Sequence, residues 1–598
     1  MKSKLLVLAL LLMVATVTFA QKSVKYHTDA KEVPNAVAIK THSFSTPSIQ
    51  LTSPPSGSIP FPINFYDYMT NGNNMKRVYV LGDTIIACLD RTDSASAITS
   101  NARRLWYQVS TDGGLTWLPE GVLTLGAPAS YGNISPVIYF GSRSIIFTGR
   151  QWEGSTTRGG AITEASFPNG VCTGYLNPSP GKDYFGFQFS GNNVVGSYQH
   201  AGADPIIDSL YFSKFDWNTN TFTGKVTLAN TTADINFNTR QYVAIKPDQN
   251  KIAVMWWVAS GGVASQGMYL KESTDGGTTF GSKQNVCLNG YQANGDSVAV
   301  WFGADVTYNP NNNTPAAAFC TLGFSGGAPN YGTRTGYKLL FWAPNINGGN
   351  PVVIADRSNI PFLQTDTSFN NNMVDIQVGM TAISHPSLGW SADGSRLYCV
   401  YSVTQRDTIN YGPVFNFNDI ALSYSTNGGA NWIGPLSITK TAQEDEIYPT
   451  ISPTGNIGND INVVYNWSQF PGSCSFSDNA PIGGPTYMVF KKIDINTLPP
   501  IGIKKIETEV VADFKLGQNY PNPFNPTTNI QFSVPKNNLV TLKVYDITGK
   551  LISTLVNQNL NAGTYNVDFD ATKLSSGVYF YTMQAGNFTS TKKMVLIK

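Results

Sequence analysis

Short apolar or alternating runs make up the chain from residue 61 to residue 490, and Gly, Asn, Asp and Pro separate them. No stretch of ten or more residues there keeps a 3.6-residue period, so the pattern predicts strands and tight turns without a substantial helix. One unit, a strand, a polar turn and a second apolar strand, recurs at 78–88, 136–148, 185–198, 242–257, 302–320, 383–401 and 448–467.

The spacing of these units favours a β-propeller. They start at 78, 136, 185, 242, 302, 383 and 448, somewhat further apart than the roughly 40 to 50 residues of one blade. We therefore expect an all-β propeller of about six to eight blades with loop insertions, and a count of seven is favoured. A single sheet of this kind cannot bury both faces, and radial stacking supplies the missing core. Tandem β-sandwiches whose turns are similar by chance remain the alternative.

A tight-turn motif occurs three times in this region. It comprises Ser110, Asp112, Gly114, Thr116 and Trp117, then Ser273, Asp275, Gly277, Thr279 and Phe280, then Ser425, Asn427, Gly429 and Trp432. We expect the Asp or Asn side chain to accept turn amides, the glycines to take positive φ and the aromatic ring to pack on the strands. The motif resembles the Asp box, or BNR repeat, of sialidases and related propellers, and the third copy departs from it at Asn427 and Asn431.

Residues 514–598 follow a different pattern. Segments 540–545, 564–569 and 578–583 alternate with period two around short turns, which predicts a small Ig-like antiparallel β-sandwich. The prolines of 521–526 fix φ and hold an extended lead-in whose Phe524 fits the edge of the sandwich. The run 516–528 reads Leu-Gly-Gln-Asn-Tyr-Pro-Asn-Pro-Phe-Asn-Pro-Thr-Thr, and 544–550, 577–581 and 592–598 follow in order. Together they resemble the C-terminal sorting domain of the type IX secretion (Por) system.

This resemblance implies export across the outer membrane, with the type IX translocon and sorting machinery as partners and an extracellular or cell-surface location. The terminal strand with its flanking lysines is the expected contact, because it offers backbone pairing and charge. A carbohydrate-binding or adhesive Ig-like module is the alternative.

The chain begins with the pattern of a secretory signal. Lys2 and Lys4 precede the apolar run 5–17 and a small-residue site, so cleavage is expected between Ala20 and Gln21. The run is shorter than the roughly 20 apolar residues of a membrane-spanning helix, and we expect no transmembrane segment in the mature chain. The predicted organisation is a signal peptide at 1–20, a leader at 21–60, the propeller at 61–490, a linker at 491–513 and the sorting domain at 514–598.

Composition narrows the function further. Hydrophobic residues are 41% and charged residues 13% of the chain, which is typical of an extracellular all-β protein. With Lys+Arg 40 against Asp+Glu 38 the net charge is +2, so nucleic acid is not an expected partner. The four histidines are scattered and the six cysteines form no CxxC pair, so neither a metal nor another cofactor is expected. Cysteines 88, 320 and 399 are predicted to be buried free thiols, whereas a bridge at 172 or 474 stays open.

Candidate chemistry lies just before the predicted inner strands. Charged residues at these positions are expected to meet at one mouth of the propeller channel; they are Arg240, Asp305, Asp375, Glu444 and Glu446. The first hypothesis is a non-catalytic module that binds glycan, an extracellular polymer or protein. The alternative is a glycoside hydrolase or sialidase-like enzyme that uses carboxylates at the channel mouth. The Arg-Ile-Pro opening of sialidases is missing, since 61–63 reads Phe-Pro-Ile. A structural component of the cell envelope is a third possibility.

Overall fold

The computed structural model describes the chain in segments between residues 54 and 597. The longer stretches outside the description are 1–53, 65–75, 92–103, 124–134, 177–185, 230–239, 361–380, 405–416 and 470–484, and from 119 to 208 the backbone alone is described. The predicted signal peptide with its Ala20/Gln21 cleavage site and most of the predicted leader lie outside the described residues. So do Asp375, Cys474 and the side chains of Cys172 and Arg240.

The first four sheets each contain four antiparallel strands in chain order. Their strands are β1 (Val78–Leu81), β2 (Thr84–Arg91), β3 (Arg104–Ser110) and β4 (Gly121–Leu123); β5 (Ser135–Ile138), β6 (Ile145–Glu153), β7 (Thr156–Glu164) and β8 (Cys172–Leu176); β9 (Gly186–Ser190), β10 (Asn193–Ala201), β11 (Ile207–Asp216) and β12 (Thr221–Ala229); and β13 (Arg240–Lys246), β14 (Lys251–Val258), β15 (Gly267–Ser273) and β16 (Gln284–Leu288).

Three further sheets follow. The fifth has β17 (Tyr291–Ala293), β18 (Asp296–Tyr308), β19 (Pro315–Ser325), β20 (Ala328–Asn330), β21 (Lys338–Trp342) and β22 (Val352–Ala355); the sixth has β23 (Ile383–Trp390), β24 (Leu397–Thr404), β25 (Asn418–Ser425) and β26 (Ile433–Ser437); the seventh has β27 (Asp445–Ile451), β28 (Asp460–Ser468) and β29 (Tyr487–Asp494). Short 3-10 turns lie at Asn347–Gly349 and Ile495–Thr497.

The seven sheets close into a ring. Each innermost strand contacts the innermost strand of the next sheet, in the order β1, β5, β9, β13, β18, β23 and β27. The last sheet returns to the first, because β1 contacts β28 and one apolar cluster joins Val78 and Ile85 with Ile447, Val464 and Met488. Sandwiches strung in a row would leave the first and last sheets apart, so this contact decides between the two predicted architectures.

The seventh sheet obtains its fourth strand from the other end of the chain. Residues 54–64, of which 62 and 63 lie outside the description, form a closing segment along β29. Ser58 bridges Val489, and Ile59 donates its N–H to the carbonyl of Met488 at 2.9 Å. Ile59 is 2% exposed and belongs to the cluster that joins the first and last sheets. The predicted boundary between leader and propeller at residue 61 was therefore misplaced, because a locally irregular sequence pairs with a strand that is distant in the chain.

The three repeated turns share one pattern of internal hydrogen bonds. In the first, Gly114 N–H donates to Ser110 Oγ at 2.8 Å, and Thr116 N–H donates to Asp112 Oδ1 at 2.8 Å. In the second, Gly277 N–H donates to Ser273 Oγ at 2.8 Å. The third keeps the matching bonds from Gly429 to Ser425 and from Asn431 to Asn427, at 2.8 and 2.9 Å.

Each repeated turn also joins its sheet to the preceding sheet through an aromatic contact. The closing aromatic rings pack edge-on against a phenylalanine of the sheet before: Trp117 on Phe490 at 6.4 Å, Phe280 on Phe212 at 5.0 Å and Trp432 on Phe341 at 5.3 Å. The first of these contacts joins sheet one to sheet seven. The ring is thus closed by the same contact that joins the fourth sheet to the third and the sixth sheet to the fifth.

Two more sheets follow the ring, packed face to face. One orders its strands β30 (Ile503–Glu507), β35 (Gly563–Asp570), β32 (Thr527–Val534) and β31 (Lys515–Leu516); the other orders β34 (Leu551–Leu560), β33 (Asn538–Tyr545), β36 (Gly577–Ala585) and β37 (Phe588–Leu596). Their inner faces share one core, which includes Phe532, Val567, Leu542 and Met583. Phe524 is 1% exposed within it, as its flanking prolines led us to expect.

The predicted linker at 491–513 is largely built into the two neighbouring folds. β29 runs to Asp494 in the ring, and β30 pairs with β35 from Ile503 onward. The prediction placed a linker here because of the two prolines at 499 and 500 and the mixed charges that follow them. The charged segment at 503–507 instead forms a strand that pairs with β35, which is distant in the sequence.

We expect acid to weaken the first two turns but not the third. Hydrogen bonds from Thr116 hold the pKa of Asp112 down to about 2, and those from Thr279 lower the pKa of Asp275. A carboxylate with a lowered folded pKa stabilises the fold above its ordinary pKa of roughly 4, and this contribution is lost as pH falls through the folded value. In thermal unfolding from pH 5 to pH 2, Asp275→Asn should therefore show a shallower fall in Tm than the wild type.

The third turn supplies the control, because Asn427 carries no titrating group. Asn427→Asp should steepen the acid dependence of Tm. Equal slopes for the wild type and both variants would show that the turn carboxylates do not carry the effect.

We also expect Gly429→Ala to be far more damaging than Gly428→Ala. Gly429 has φ 101° and a methyl group there would overlap the ring of Phe341, whereas Gly428 has φ 72° with its nearest neighbour at 3.6 Å. Strained φ and overpacking together should cost about 2–5 kcal/mol at 429, against about 1–2 kcal/mol for φ alone at 428. Denaturant unfolding measures both, and similar losses would contradict the packing contact.

Candidate functional site

The strand ends joined by the longest connections lie on one face of the ring. Since strands alternate in direction within each sheet, innermost strands begin on the face opposite the repeated turns. The sequence is longest between β22 and β23, between β24 and β25, and between β28 and β29, and these strand ends of sheets five to seven lie on the face where innermost strands begin. Loops on a rigid scaffold commonly carry function, so this side of the ring is where a site is expected.

Three consecutive innermost strands carry a bulge at the same level. The pairing shifts between Val300 and Ala304, between Ser384 and Ser387, and between Ile447 and Thr450. Each bulge contains a residue with positive φ, namely Gly303, His385 and Tyr448. Bulges redirect side chains and often lie beside functional sites.

The bulged residues form a buried girdle inside the ring. Gly303 N–H donates to the hydroxyl of Tyr242 at 3.3 Å, and the rings of His385 and Tyr448 lie 4.6 Å apart. The carbonyl of Tyr448 accepts a hydrogen bond from Arg77, which also donates to Asn466 Oδ1 at 3.0 Å. His385, Tyr448 and Arg77 are each at most 1% exposed, so they do not line an open pocket. The contacts of the girdle join sheets four to seven to sheet one.

Lys76 crosses the middle of the ring. It precedes β1 and its ammonium group pairs with Asp305 of the fifth sheet and donates to Ser387 Oγ at 2.9 Å and the carbonyl of Leu388 at 2.6 Å in the sixth. Asp305 also accepts the N–H groups of Leu388 at 2.7 Å and Val306 at 2.9 Å. Burial raises the pKa of Asp305, against the opposing effect of Lys76. The carboxylate is thus fully engaged inside the protein.

Asp305 does not lie where the sequence pattern put it. It was expected just before an innermost strand, but β18 begins at Asp296 and Asp305 follows the bulge well inside the strand. The bulge interrupts the alternation of the strand, which is why the pattern suggested a start there. Arg240 is the first residue of β13, paired with Trp257, and its side chain lies outside the described residues.

Glu444 and Glu446 do come together, in a cleft between sheets six and seven. This outer cleft has a volume of about 430 Å³ and is lined by Thr441, Glu444, Glu446, Tyr465, Trp467, Lys491 and the closing segment at 55–57. Glu446 pairs across β27 and β28 with Trp467, whose ring joins an apolar cluster with Ile420 and Leu422 of the sixth sheet. The cleft therefore faces the neighbouring sheet and not the ring axis, where these carboxylates were expected.

The two carboxyl groups of the outer cleft have different environments. Glu444 accepts the indole N–H of Trp467 at 2.9 Å. Glu446 is 2% exposed and accepts the hydroxyl of Thr441, at 2.9 Å to Oε1 and 2.8 Å to Oε2. Burial, followed by the neighbouring charges of Asp419 and Glu444, raises the pKa of Glu446 well above its ordinary value.

A cation and aromatic rings complete the cleft. The ammonium group of Lys491 lies 5.4 Å from the ring centroid of Tyr465, and the rings of Trp467 and Tyr487 are 5.8 Å apart. Burial lowers the pKa of Lys491, while Glu446 and Glu444 act in the opposite direction. Carboxyl oxygens, an ammonium group and aromatic rings are the groups that bind hydroxyl-bearing ligands.

Sequence reasoning missed Lys76, Arg77 and the closing segment. Pro386 and Pro449 stand inside otherwise apolar strands, and a proline there indicates a bulge. That signal was available. The contacts of Lys76 with sheets five and six could not be predicted from the sequence pattern, because its partners lie more than two hundred residues away.

The described residues contain neither a metal-binding cluster nor a membrane-spanning helix. Among them, no three His, Cys, Asp or Glu side chains are grouped as a metal site requires. Within the same ranges, no helix has the length and apolar character needed to cross a membrane. Cys88, Cys320 and Cys399 are buried free thiols, which confirms that prediction, and Cys287 is a fourth.

Comparison with solved structures finds several distant similarities. The phage phi92 endosialidase is 12% identical with a TM-score of 0.37, and the alignment covers 77% of this chain and 71% of that one. The β-propeller domain of the trilobed protease of Pyrococcus furiosus is 8% identical with a TM-score of 0.35, covering 72% and 97%. The exo-β-1,3-galactanase of Phanerochaete chrysosporium is 9% identical with a TM-score of 0.28, covering 70% and 97%. A search of curated proteins finds no match.

Residues 518–598 match the family model of the secretion system C-terminal sorting domain, Por_Secre_tail. This agrees with the resemblance seen in the sequence and with the separate pair of sheets that these residues form. The chain is exported by type IX secretion to the cell surface or the extracellular space.

Proposed function

We propose that this exported chain is a seven-bladed, Asp-box-type propeller carried by a sandwich-like sorting domain, and that the propeller binds a glycan in the outer cleft. The observation that carries the proposal is the composition of that cleft, in which Glu444, Glu446 and Lys491 lie beside Tyr465 and Trp467. Its volume of about 430 Å³ falls in the range of roughly 300–1,000 Å³ that is usual for small-ligand sites.

The contacts favour the cleft over the axis of the ring. At the axis, the ammonium group of Lys76 already has three oxygen partners, and Asp305 accepts from Lys76 and two backbone amides. Opening this buried ion pair for a ligand would cost several kcal/mol, since breaking a buried pair typically costs about 3–5 kcal/mol. In the cleft, Glu444 and Lys491 are half-buried and border open space.

A sugar is the ligand class that suits these groups. Sugar hydroxyls both donate and accept, so a protonated Glu446, the carboxyl oxygens of Glu444 and the ammonium group of Lys491 can all take part. The aromatic side chains offer apolar surface for the C–H faces of a ring. Extracellular polymer built from such units is covered by the same proposal.

Binding of purified full-length chain to an array of neutral and acidic glycans tests this. Lys491→Met should weaken the affinity for any captured glycan about ten-fold or more, because the loss of a charged hydrogen bond costs roughly 1.5–3 kcal/mol. Lys283→Met is the matched control: Lys283 lies over Tyr269 in the fourth sheet, away from the cleft. Equal affinities for both variants, or no glycan bound at all, would reject the cleft as the site.

A glycoside hydrolase is the second candidate, and one observation favours it. Two carboxyl groups share the cleft, and one of them, Glu446, has a raised pKa, which is the pairing that a general acid and its partner carboxylate require. For this second candidate, Glu446 is the general acid that protonates the leaving-group oxygen, and Glu444 is the partner carboxylate.

Turnover of fluorogenic glycosides by the purified chain decides between binding and catalysis. If Glu446 is the acid, Glu446→Gln should reduce kcat by 100-fold or more, on the order of what general acids contribute. The wild-type rate should fall as pH rises above the raised pKa, because the acid form is lost there. Glu272→Gln, in the fourth sheet, is the control. Wild-type turnover that Glu446→Gln leaves intact would remove this candidate.

A further inference from the structure

The last strand of the sorting domain is only half covered along its outer edge. Gln518 and Asn522 donate to the carbonyl of Lys593, at 2.8 and 3.4 Å. Val595 donates to Asn522 Oδ1 and accepts from Phe524 N–H, both at 2.9 Å. The proline-rich segment 518–524 thus pairs with the C-terminal half of β37. The terminal strand was the expected contact for the sorting machinery, and its edge from Lys593 onward is already paired.

The first half of β37 presents the same edge without a cover. In an antiparallel strand every second residue directs its N–H and C=O away from the neighbour, and Lys593 and Val595 show which positions those are. Thr589 and Thr591 belong to the same set, and both are exposed. Within the described chain, no backbone hydrogen bond reaches the outward N–H and C=O groups of Thr589 and Thr591.

The other edge of this sheet is occupied. β34 contacts β26 of the sixth sheet, and Asn557 donates to the carbonyl of Trp432 at 3.4 Å. An unpaired strand edge is a template for another strand, and proteins usually cover it. The segment 588–592 is therefore the part of this sheet that remains ready to accept one.

The charged strand residues of this sheet near the open edge are lysines, while Asp513 lies beside Phe514, whose ring stacks on Phe588 at 5.5 Å. On the outer face of the sheet, Lys593 pairs with Phe580, which is 36% exposed, and Lys543 pairs with Thr582. Lys592 precedes Lys593 and is half-buried. The acidic strand residues Asp568 and Asp570 belong to the other sheet, on β35. A strand that pairs here would place its side chains beside lysines, and opposite charges on paired strands attract.

We propose that the secretion machinery recognises this domain by adding an extended, acidic segment as a fifth strand along residues 588–592 of β37. Backbone hydrogen bonds at Thr589 and Thr591 give the affinity, and Lys592 and Lys593 select an acidic partner. The proline-rich segment limits the register by closing the edge from Lys593 onward. This proposal depends on export by type IX secretion and not on what the propeller binds.

Thr591→Pro tests the backbone part. Proline removes the outward N–H and is tolerated at an edge position, since that group makes no bond within the sheet. In a bacterium with a type IX system, the fraction of the full-length chain that reaches the surface, measured by protease accessibility on intact cells, should fall at least ten-fold. Thr591→Val keeps the N–H while removing the hydroxyl that meets Thr582 at 2.9 Å, and should be exported normally.

Charge reversal provides a second, independent test that does not touch the backbone. Lys592→Glu with Lys593→Glu should reduce surface display at least ten-fold, whereas Lys550→Glu, exposed in the turn between β33 and β34, should leave it unchanged. The Tm of each purified variant reports whether the fold is intact. A folded Thr591→Pro variant displayed like the wild type overturns the proposal. If that variant does not fold, wild-type display of the double charge variant overturns it.

Discussion

Closure of the ring is the constraint on which the rest of this molecule depends. The seventh sheet has three strands of its own and obtains the fourth from residues 54–64, so the two ends of the propeller region are held in one sheet. Ile59, Val78 and Ile447 then bury one another. Without this pairing, β29 would present an open edge and the first sheet would lose its apolar neighbour. The first repeated turn adds Trp117 against Phe490, the same fastening that joins other sheets in the ring.

Two buried cations, Lys76 and Arg77, bind oxygen atoms inside the closed ring. Lys76 and Arg77 are adjacent in sequence but bind different sheets: Lys76 pairs with the fifth and sixth, and Arg77 with the seventh. Burying two cations is costly, and only the convergence of several oxygens makes it tolerable. These partners come together because three neighbouring strands bulge at one level. The three bulges, the two buried cations and the closure of the ring therefore depend on one another.

That arrangement also explains where a ligand site remains. Among the described residues, Lys76 and Asp305 are engaged with each other and with sheet six, and the cleft lies where Thr441 and Glu444 border the seventh sheet. There Glu446 is buried enough for its pKa to rise, while Glu444 and Lys491 stay half-buried. The closing segment forms one wall of this cleft. The same residues that complete the last sheet thus shape the candidate site.

Local sequence determined the strands, the three repeated turns and the sorting domain, because alternation, Gly-Gly turns and a proline-rich lead-in each act over a few residues. It also named Glu444 and Glu446 among the candidate site residues, although it placed them at the mouth of the channel. Tertiary structure alone decided that Asp305 is an ion-pair partner, that residues 54–64 complete the seventh sheet and that β30 belongs to the sorting domain. It also decided that the carboxyl pair faces the sixth sheet. Each of these depends on strand pairing or charge contacts between distant parts of the chain, and a periodic pattern carries no information about which distant segments meet.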